Sequence, residues 1–218
     1  WREIGQMLRD SHFLKTILLI GVPAKAVLTG VIFFAMPLIL TKAQFSQEDI
    51  GQITMVYAGS VIAAGAWAAK LADRTGRTTS ILFWGSTLSA VGLFVLSFVG
   101  SRSLGLASIP GGTGLIVLVG VVAIGIAHGM INAPVVTHVT EGELSTRLGA
   151  GSVAAAYRFI ERVGHTLGPI LIGQLFAATG QTAGVFVWIA GGILICGFLF
   201  LINGRASGEA SYKEHYAQ

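Results

Sequence analysis

Long apolar runs separated by short polar stretches dominate the chain. A helix needs about 20 apolar residues to cross the hydrocarbon core of a bilayer. Six segments meet this requirement, at about 13–41, 50–70, 79–99, 113–139, 148–178 and 181–203. The runs are continuously apolar rather than alternating, which disfavours a membrane β-barrel. The pattern therefore predicts an all-α membrane protein with six transmembrane helices.

The polar stretches between these runs predict loops and an orientation. Residues 104–114 read as a loop, residues 179–182 divide the last two spans, and residues 204–218 form a polar tail. One side of the bundle receives most of the Lys and Arg residues outside the spans, namely Arg2, Arg9, Lys70, Arg74, Arg77, Arg147, Arg205 and Lys213. The other side receives only Lys42 and Arg102. Because cytoplasmic loops are enriched in Lys and Arg, we expect both termini in the cytoplasm and a multi-pass protein of a bacterial inner membrane.

The composition agrees with a lipid environment. Only 11% of the 218 residues are charged and 53% are hydrophobic, whereas soluble domains usually carry about 25% charged residues. The single cysteine, Cys196, excludes a disulfide framework and a cysteine-based metal site. The net charge of +4 comes from basic residues between the runs, so we expect no nucleic-acid partner. Enzyme motifs are absent, and we expect no catalysis, cofactor or metal.

Residues 69–78, between the second and third spans, carry a recognisable pattern. They read A-K-L-A-D-R-T-G-R-T and resemble the signature loop of the major facilitator superfamily, usually written G-x-x-x-D-R-x-G-R-R. Asp73, Arg74, Gly76 and Arg77 match, whereas the first glycine and the last basic residue are replaced. Gly76 suits a tight turn, and Asp73 could cap or pair with a neighbouring helix end. An ordinary basic turn is the alternative interpretation.

The fifth span carries a second pattern of the same family. Gly164, Gly168, Pro169 and Gly173 resemble its G-x-x-x-G-P-x-x-G-G helix, although Ile172 replaces one glycine. Small residues at this spacing let helices approach closely, and a proline permits a kink. The resemblance implies a six-helix half of a transporter, built from two inverted three-helix repeats. Two arginines ahead of Gly164 and the polar tail favour the C-terminal half, and the start at Trp1 suggests part of a longer polypeptide.

Charged residues within spans are candidates for function. Lys25 lies near the middle of the first span, and we expect it to face a cavity. Arg158, Glu161 and Arg162 form a second cluster, in which helical spacing pairs Arg158 with Glu161. This cluster either binds substrate or relays protons, or it is a salt-bridge latch between helices. The surplus of positive charge favours an anionic or zwitterionic solute.

The fourth span contains further polar residues that are candidates for function. His128 and Asn132 are four residues apart and share a helix face. Histidine changes its charge near neutral pH, so His128 could carry a coupling proton. Helix–helix hydrogen bonding is the alternative interpretation, and it is favoured for Asn132. His138 follows near Glu141 and is expected in a solvated loop.

Two hypotheses for function follow. In the first, the chain pairs with a second six-helix half and moves a small solute by alternating access, with a proton as a candidate coupling ion. In the second, it is a membrane-embedded sensor or scaffold that uses the same kind of bundle. The bundle could also dimerise with itself.

Overall fold

The computed structural model describes residues 2–100, 111–180 and 182–215, with side chains for residues 5–203 of these ranges. Within them the chain forms helices and no strand. The helices are α1 Arg2–Met7, α2 Ser11–Lys42, α3 Gln47–Thr75, α4 Thr78–Leu96, α5 Gly112–Thr140, α6 Glu143–Leu148, α7 Ala150–Ile160, α8 Arg162–Thr179 and α9 Val185–His215. Trp1, Arg102, residues 104–110 of the predicted loop, Gln181 and residues 216–218 lie outside the described residues. The prediction of an all-α membrane protein is confirmed.

The outer surface of the bundle is apolar. By length and composition, five helical stretches of the described ranges could cross a membrane, namely α2, α3, α4, α5 and the Val185–Asn203 part of α9. Large apolar side chains point outward from them, with Trp188 76% and Ile62 74% exposed. An apolar surface of this extent needs lipid or another apolar partner to cover it.

The predicted span 148–178 is divided in the structure. Leu148 ends α6, and Gly149 at φ +84° interrupts the helix, because helical residues need a negative φ. The long helix therefore begins at Ala150, two residues later than predicted. Glu161 then separates α7 from α8 while its backbone stays right-handed. The division leaves α7 with 11 residues and α8 with 18, and neither is among the helices that are long and apolar enough to cross a membrane.

Helix α2 contains two π-helical stretches, Ile17–Gly21 and Val27–Ala35. The first ends directly before Val22 and Pro23, and the N–H of Val22 donates to the carbonyl of Ile17. The second ends directly before Met36 and Pro37, and the N–H of Met36 donates to the carbonyl of Val31. The following prolines have no N–H with which to continue the α-helical ladder. Widened turns of this kind are frequent at functional sites, and Lys25 lies between the two.

Glycines at the helix crossings define the directions of neighbouring helices. On α8, Gly164 lies against Val22 and Gly168 lies against Ala26, so α2 and α8 run parallel. The same order holds for α5 against α3, where Gly125 meets Ser60 and Gly129 meets Ala64.

Helix α4 instead runs antiparallel to both of its neighbours. Its Gly85 lies against Ile131 of α5, whereas its later Gly92 lies against the earlier Ile124. Helix α4 also packs along α9, where Ser86 meets Gly197. Because α8 runs in the direction of α2, it takes the direction of a fifth crossing. The first crossing, α2, therefore pairs with the fifth, α8, and the second, α3, pairs with the fourth, α5. Two inverted three-helix repeats are expected to give this pairing.

The buried apolar core contains one small cluster and two large ones. One large cluster includes Val27 of α2, Ile124 of α5 and Ile172 of α8. The other includes Ala24 of α2, Ile131 of α5 and Tyr157 of α7, which continues into α8. The boundary between the two large clusters therefore crosses all three helices.

Candidate functional site

A layer of polar side chains lies at the boundary between the two large core clusters. It contains Lys25 of α2, His128 and Asn132 of α5, and Glu161 at the junction of α7 and α8. Three of these residues are buried: Lys25 is 9%, His128 2% and Glu161 5% exposed. Burying ionised groups is unfavourable unless they are paired and hydrogen-bonded, so their contacts decide what this layer can do.

Lys25 joins three helices through its ammonium group. Its Nζ donates to Asn132 Oδ1 at 2.9 Å and lies 3.8 Å from Glu161 Oε2. The contacts with Asn132 and Glu161 connect α2 to α5 and to the α7–α8 junction. The sequence predicted each of these residues as a candidate, and the structure brings them together.

Glu161 is shared by two cations. Its Oε1 accepts a hydrogen bond from Arg158 Nη1 at 3.1 Å, as the spacing of three residues predicts, and its Oε2 faces Lys25. The Arg158 side chain is 47% exposed, so this second pair lies at the surface of the chain. Arg158 Nη2 also points to the backbone oxygen of Asn132 at 3.5 Å. Two positive groups and one carboxylate leave the arrangement with a surplus positive charge.

His128 is hydrogen-bonded to a residue that the sequence analysis did not select. Tyr57 of α3 places its hydroxyl 2.7 Å from His128 Nδ1, and the two rings meet edge to face. The other ring nitrogen, Nε2, is buried and has no hydrogen-bond partner in the described part of the chain. A single tyrosine in an apolar helix carries no periodic signal, so only the packing of α3 on α5 identifies Tyr57.

Arg162 stands apart from the Lys25–Glu161 pair. It opens α8 with an exposed side chain and makes no hydrogen bond or ion pair with the residues that the structure describes. The backbone oxygen of its neighbour His165 accepts a hydrogen bond from Thr29 of α2.

Pro169 explains the role of Thr29. Pro169 has no N–H to donate to the carbonyl of His165 four residues earlier. The hydroxyl of Thr29 lies 3.0 Å from that carbonyl and also 3.0 Å from the carbonyl of Lys25 in its own helix. The hydroxyl of Thr29 on α2 thus supplies the hydrogen bond to the His165 carbonyl that Pro169 cannot make.

Thr29→Val should destabilise the α2–α8 crossing by about 1 kcal/mol, because it removes the hydrogen bond to the His165 carbonyl and keeps the side-chain volume. Thr29→Ser keeps the hydroxyl and serves as the matched control. The free energy of unfolding in detergent micelles measures both. Equal stability of the Val variant and the wild type would contradict this role.

The glycines of the fifth span differ in their surroundings. Gly164 and Gly168 are buried against α2, where an added Cβ would overlap the backbone oxygens of Val22 and Ala26. Gly173 is different, since an added Cβ there would meet no described atom within 4 Å. Close packing in this bundle therefore involves the first two glycines of the motif and not Gly173.

The signature loop is exposed. Gly76 adopts φ +61° and ends α3, its N–H donating to the carbonyl of Ala72 at 2.8 Å. Arg77 precedes α4, and Asp73 and Arg74 lie in the last turn of α3. Asp73 forms no hydrogen bond or ion pair with the described residues, so the capping contact is not found among them.

His138 is buried, contrary to the prediction of a solvated loop. Helix α5 continues past it to Thr140, and its ring packs 4.5 Å from the ring of His12 at the start of α2. Its Nδ1 is 2.9 Å from the hydroxyl of Thr78, which opens α4 directly after the signature loop. The sequence could not indicate this contact, because it depends on how three helix ends meet.

Comparison with known proteins gives the chain its family. The family model described as Major Facilitator Superfamily matches residues 6–215. A search of curated proteins finds no match. The family match covers all the crossings and the polar layer described above, and the helical bundle agrees with it. The chain belongs to the major facilitator superfamily, a family of membrane transporters.

Proposed function

We propose that this chain is a six-helix half of a secondary transporter, the C-terminal one, which moves a small solute by alternating access with a second six-helix half. The observation that carries the proposal is the buried Lys25, held by Asn132 and Glu161 between two apolar clusters. Charges at such depth in a membrane protein typically mark substrate or ion pathways.

The geometry supports the latch interpretation for Glu161. Its carboxylate holds α2 to the α7–α8 junction through Lys25, and removal of Glu161 would leave the buried ammonium group of Lys25 without a counter-charge. A conformational change that separates these helices must break this pair. A solute or a proton whose binding changes the strength of this pair would couple binding to the conformational change.

Candidate proton carriers lie in the same layer. Glu161 can take a proton on its carboxylate, and His128 has a second ring nitrogen without a partner among the described residues. In this proposal the membrane is a bacterial inner membrane, both termini are cytoplasmic, and the exposed loop with Asp73, Arg74, Gly76 and Arg77 contacts other parts of the transporter during the change.

Transport by the complete polypeptide in proteoliposomes tests the proposal. We expect uptake of a radiolabelled small solute that responds to an imposed pH gradient. Lys25→Ala and Glu161→Gln should lower the initial rate by about tenfold or more while insertion stays intact. Lys42→Ala, at the exposed end of the same helix, and Glu143→Gln, exposed on α6, are the matched controls.

Two outcomes would contradict the proposal. Normal transport by both Lys25→Ala and Glu161→Gln would show that the polar layer takes no part in transport. A complete absence of solute movement by the folded, inserted polypeptide would favour the sensor or scaffold hypothesis.

A further inference from the structure

Two exposed arginines flank Glu161 at the α7–α8 junction. Arg158 and Arg162 are four residues apart, a spacing that makes them neighbours on a helix. Arg162 is exposed and has no hydrogen bond or ion pair with the described residues. Arg158 shares Glu161 with Lys25. Two cations therefore share the Glu161 carboxylate, and Arg162 adds a third positive charge beside it without contacting it.

The position of the two arginines makes their charge costly. Arg162 lies twelve residues after Ala150, the start of α7, which corresponds to about 18 Å along the helix. With Ala150 taken as the membrane boundary, this distance places Arg162 beyond the headgroup region, next to Glu161 of the buried layer. An arginine at that depth must reach water or an anion.

We propose that Arg158 and Arg162 together bind the carboxylate or phosphate group of an anionic solute. This inference rests on the proposed function and names the substrate class of the same site. The anion takes the place of Glu161 on Arg158, and Glu161 is then left to Lys25 alone.

The hydrogen bonds of Arg158 support this exchange. A guanidinium group has five N–H donors and binds carboxylate or phosphate with two of them at once. In the structure one terminal nitrogen donates to Glu161 at 3.1 Å, and the other reaches only the Asn132 carbonyl, at 3.5 Å. The second contact is at the long limit for a hydrogen bond, so an anion replaces it at little cost.

Glu161 has a second cation available when it leaves Arg158. Its Oε2 lies 3.8 Å from Lys25 Nζ, a separation that can shorten to a direct hydrogen bond. Binding of the anion would thereby strengthen the link between α2 and the α7–α8 junction. In this way occupancy of the site biases the helices toward one arrangement.

Calorimetry on the complete polypeptide in nanodiscs of neutral phosphatidylcholine tests the inference, with inorganic phosphate and succinate as probes. We expect at least one of them to bind. Arg158→Gln and Arg162→Gln should each weaken that binding by about tenfold or more. Arg147→Gln, an exposed arginine of α6, should leave it unchanged.

Glu161→Gln provides the sharper result. Because it removes the competing carboxylate, it should tighten binding of the same probe several-fold. Weaker or unchanged binding in this variant would contradict the replacement of Glu161 by the anion on Arg158. A wild-type chain that binds neither probe would contradict the assignment of an anion site to the two arginines. The arginine variants keep the inference testable if Glu161→Gln does not fold.

A lipid headgroup is the other source of the same anionic group. A second set of nanodiscs with phosphatidylglycerol, analysed by native mass spectrometry, distinguishes it. Retention of that lipid through Arg162, without binding of phosphate or succinate, would overturn the assignment to a solute. Anion binding without transport would support this inference and contradict the proposed function. Transport without anion binding would support the proposed function and contradict this inference.

Discussion

Glu161→Gln should destabilise the bundle by about 3–5 kcal/mol, because it leaves a buried ammonium group without a carboxylate. Lys25 would then keep only the amide oxygen of Asn132. Lys25→Met should cost less, about 1–2 kcal/mol, since Glu161 retains Arg158 when Lys25 is removed. The expected asymmetry follows from one carboxylate serving two cations.

The double variant Lys25→Met/Glu161→Gln provides a further test. It removes both buried charges, so its loss of stability should be smaller than the sum of the two single losses. Denaturation by sodium dodecyl sulfate, followed by tryptophan fluorescence, measures the free energies. Lys42→Met and Glu143→Gln are exposed controls and should stay within about 0.5 kcal/mol of the wild type. A larger loss for Lys25→Met than for Glu161→Gln would show that the pairing is assigned incorrectly.

Gly164→Ala and Gly168→Ala should each destabilise the bundle by about 2–3 kcal/mol. The added methyl groups would overlap the backbone oxygens of Val22 and Ala26, and a backbone can move away only if the α2–α8 crossing opens. Gly30 reinforces this expectation, because an added Cβ there would lie 2.7 Å from the backbone of Gly168.

Gly173→Ala is the matched control for this series. It lies in the same helix, and an added Cβ would meet no described atom within 4 Å. Because alanine favours helix more than glycine by up to about 1 kcal/mol, this variant should be neutral or slightly stabilising. The same unfolding measurement applies to all three variants. Equal effects at Gly164 and Gly173 would contradict the close crossing of α2 and α8.

The all-α membrane class could be predicted because its signal is local. Apolar runs long enough to cross a bilayer stand out against polar loops, and the predicted second span, 50–70, lies within Gln47–Thr75 of the structure. The fifth span was predicted less well. Its interruption at Gly149 depends on a backbone conformation that glycine permits but does not require.

The candidate site was predicted as residues but not as contacts. Lys25 and Glu161 are conspicuous, since charges are rare in apolar runs, and Arg158 lies at helical spacing from Glu161. Their partners depend on which helices cross. The hydrogen bond of Lys25 joins it to Asn132, 107 residues away, and that of His128 reaches Tyr57, 71 residues away. No periodicity within one helix encodes such pairings, and the burial of His138 was missed for the same reason.

The parallel packing of α2 on α8 has a consequence for biosynthesis. The hydrogen bond from Thr29 to His165 spans 136 residues of chain. Ribosomes add about 5–20 residues per second, so the nascent Lys25 waits on the order of ten seconds for its carboxylate to be made. During that interval α2 needs shelter from the acyl chains, and we expect it to stay beside the insertion machinery. We expect this need to end once Glu161 and α8 have been made, before α9 completes the bundle.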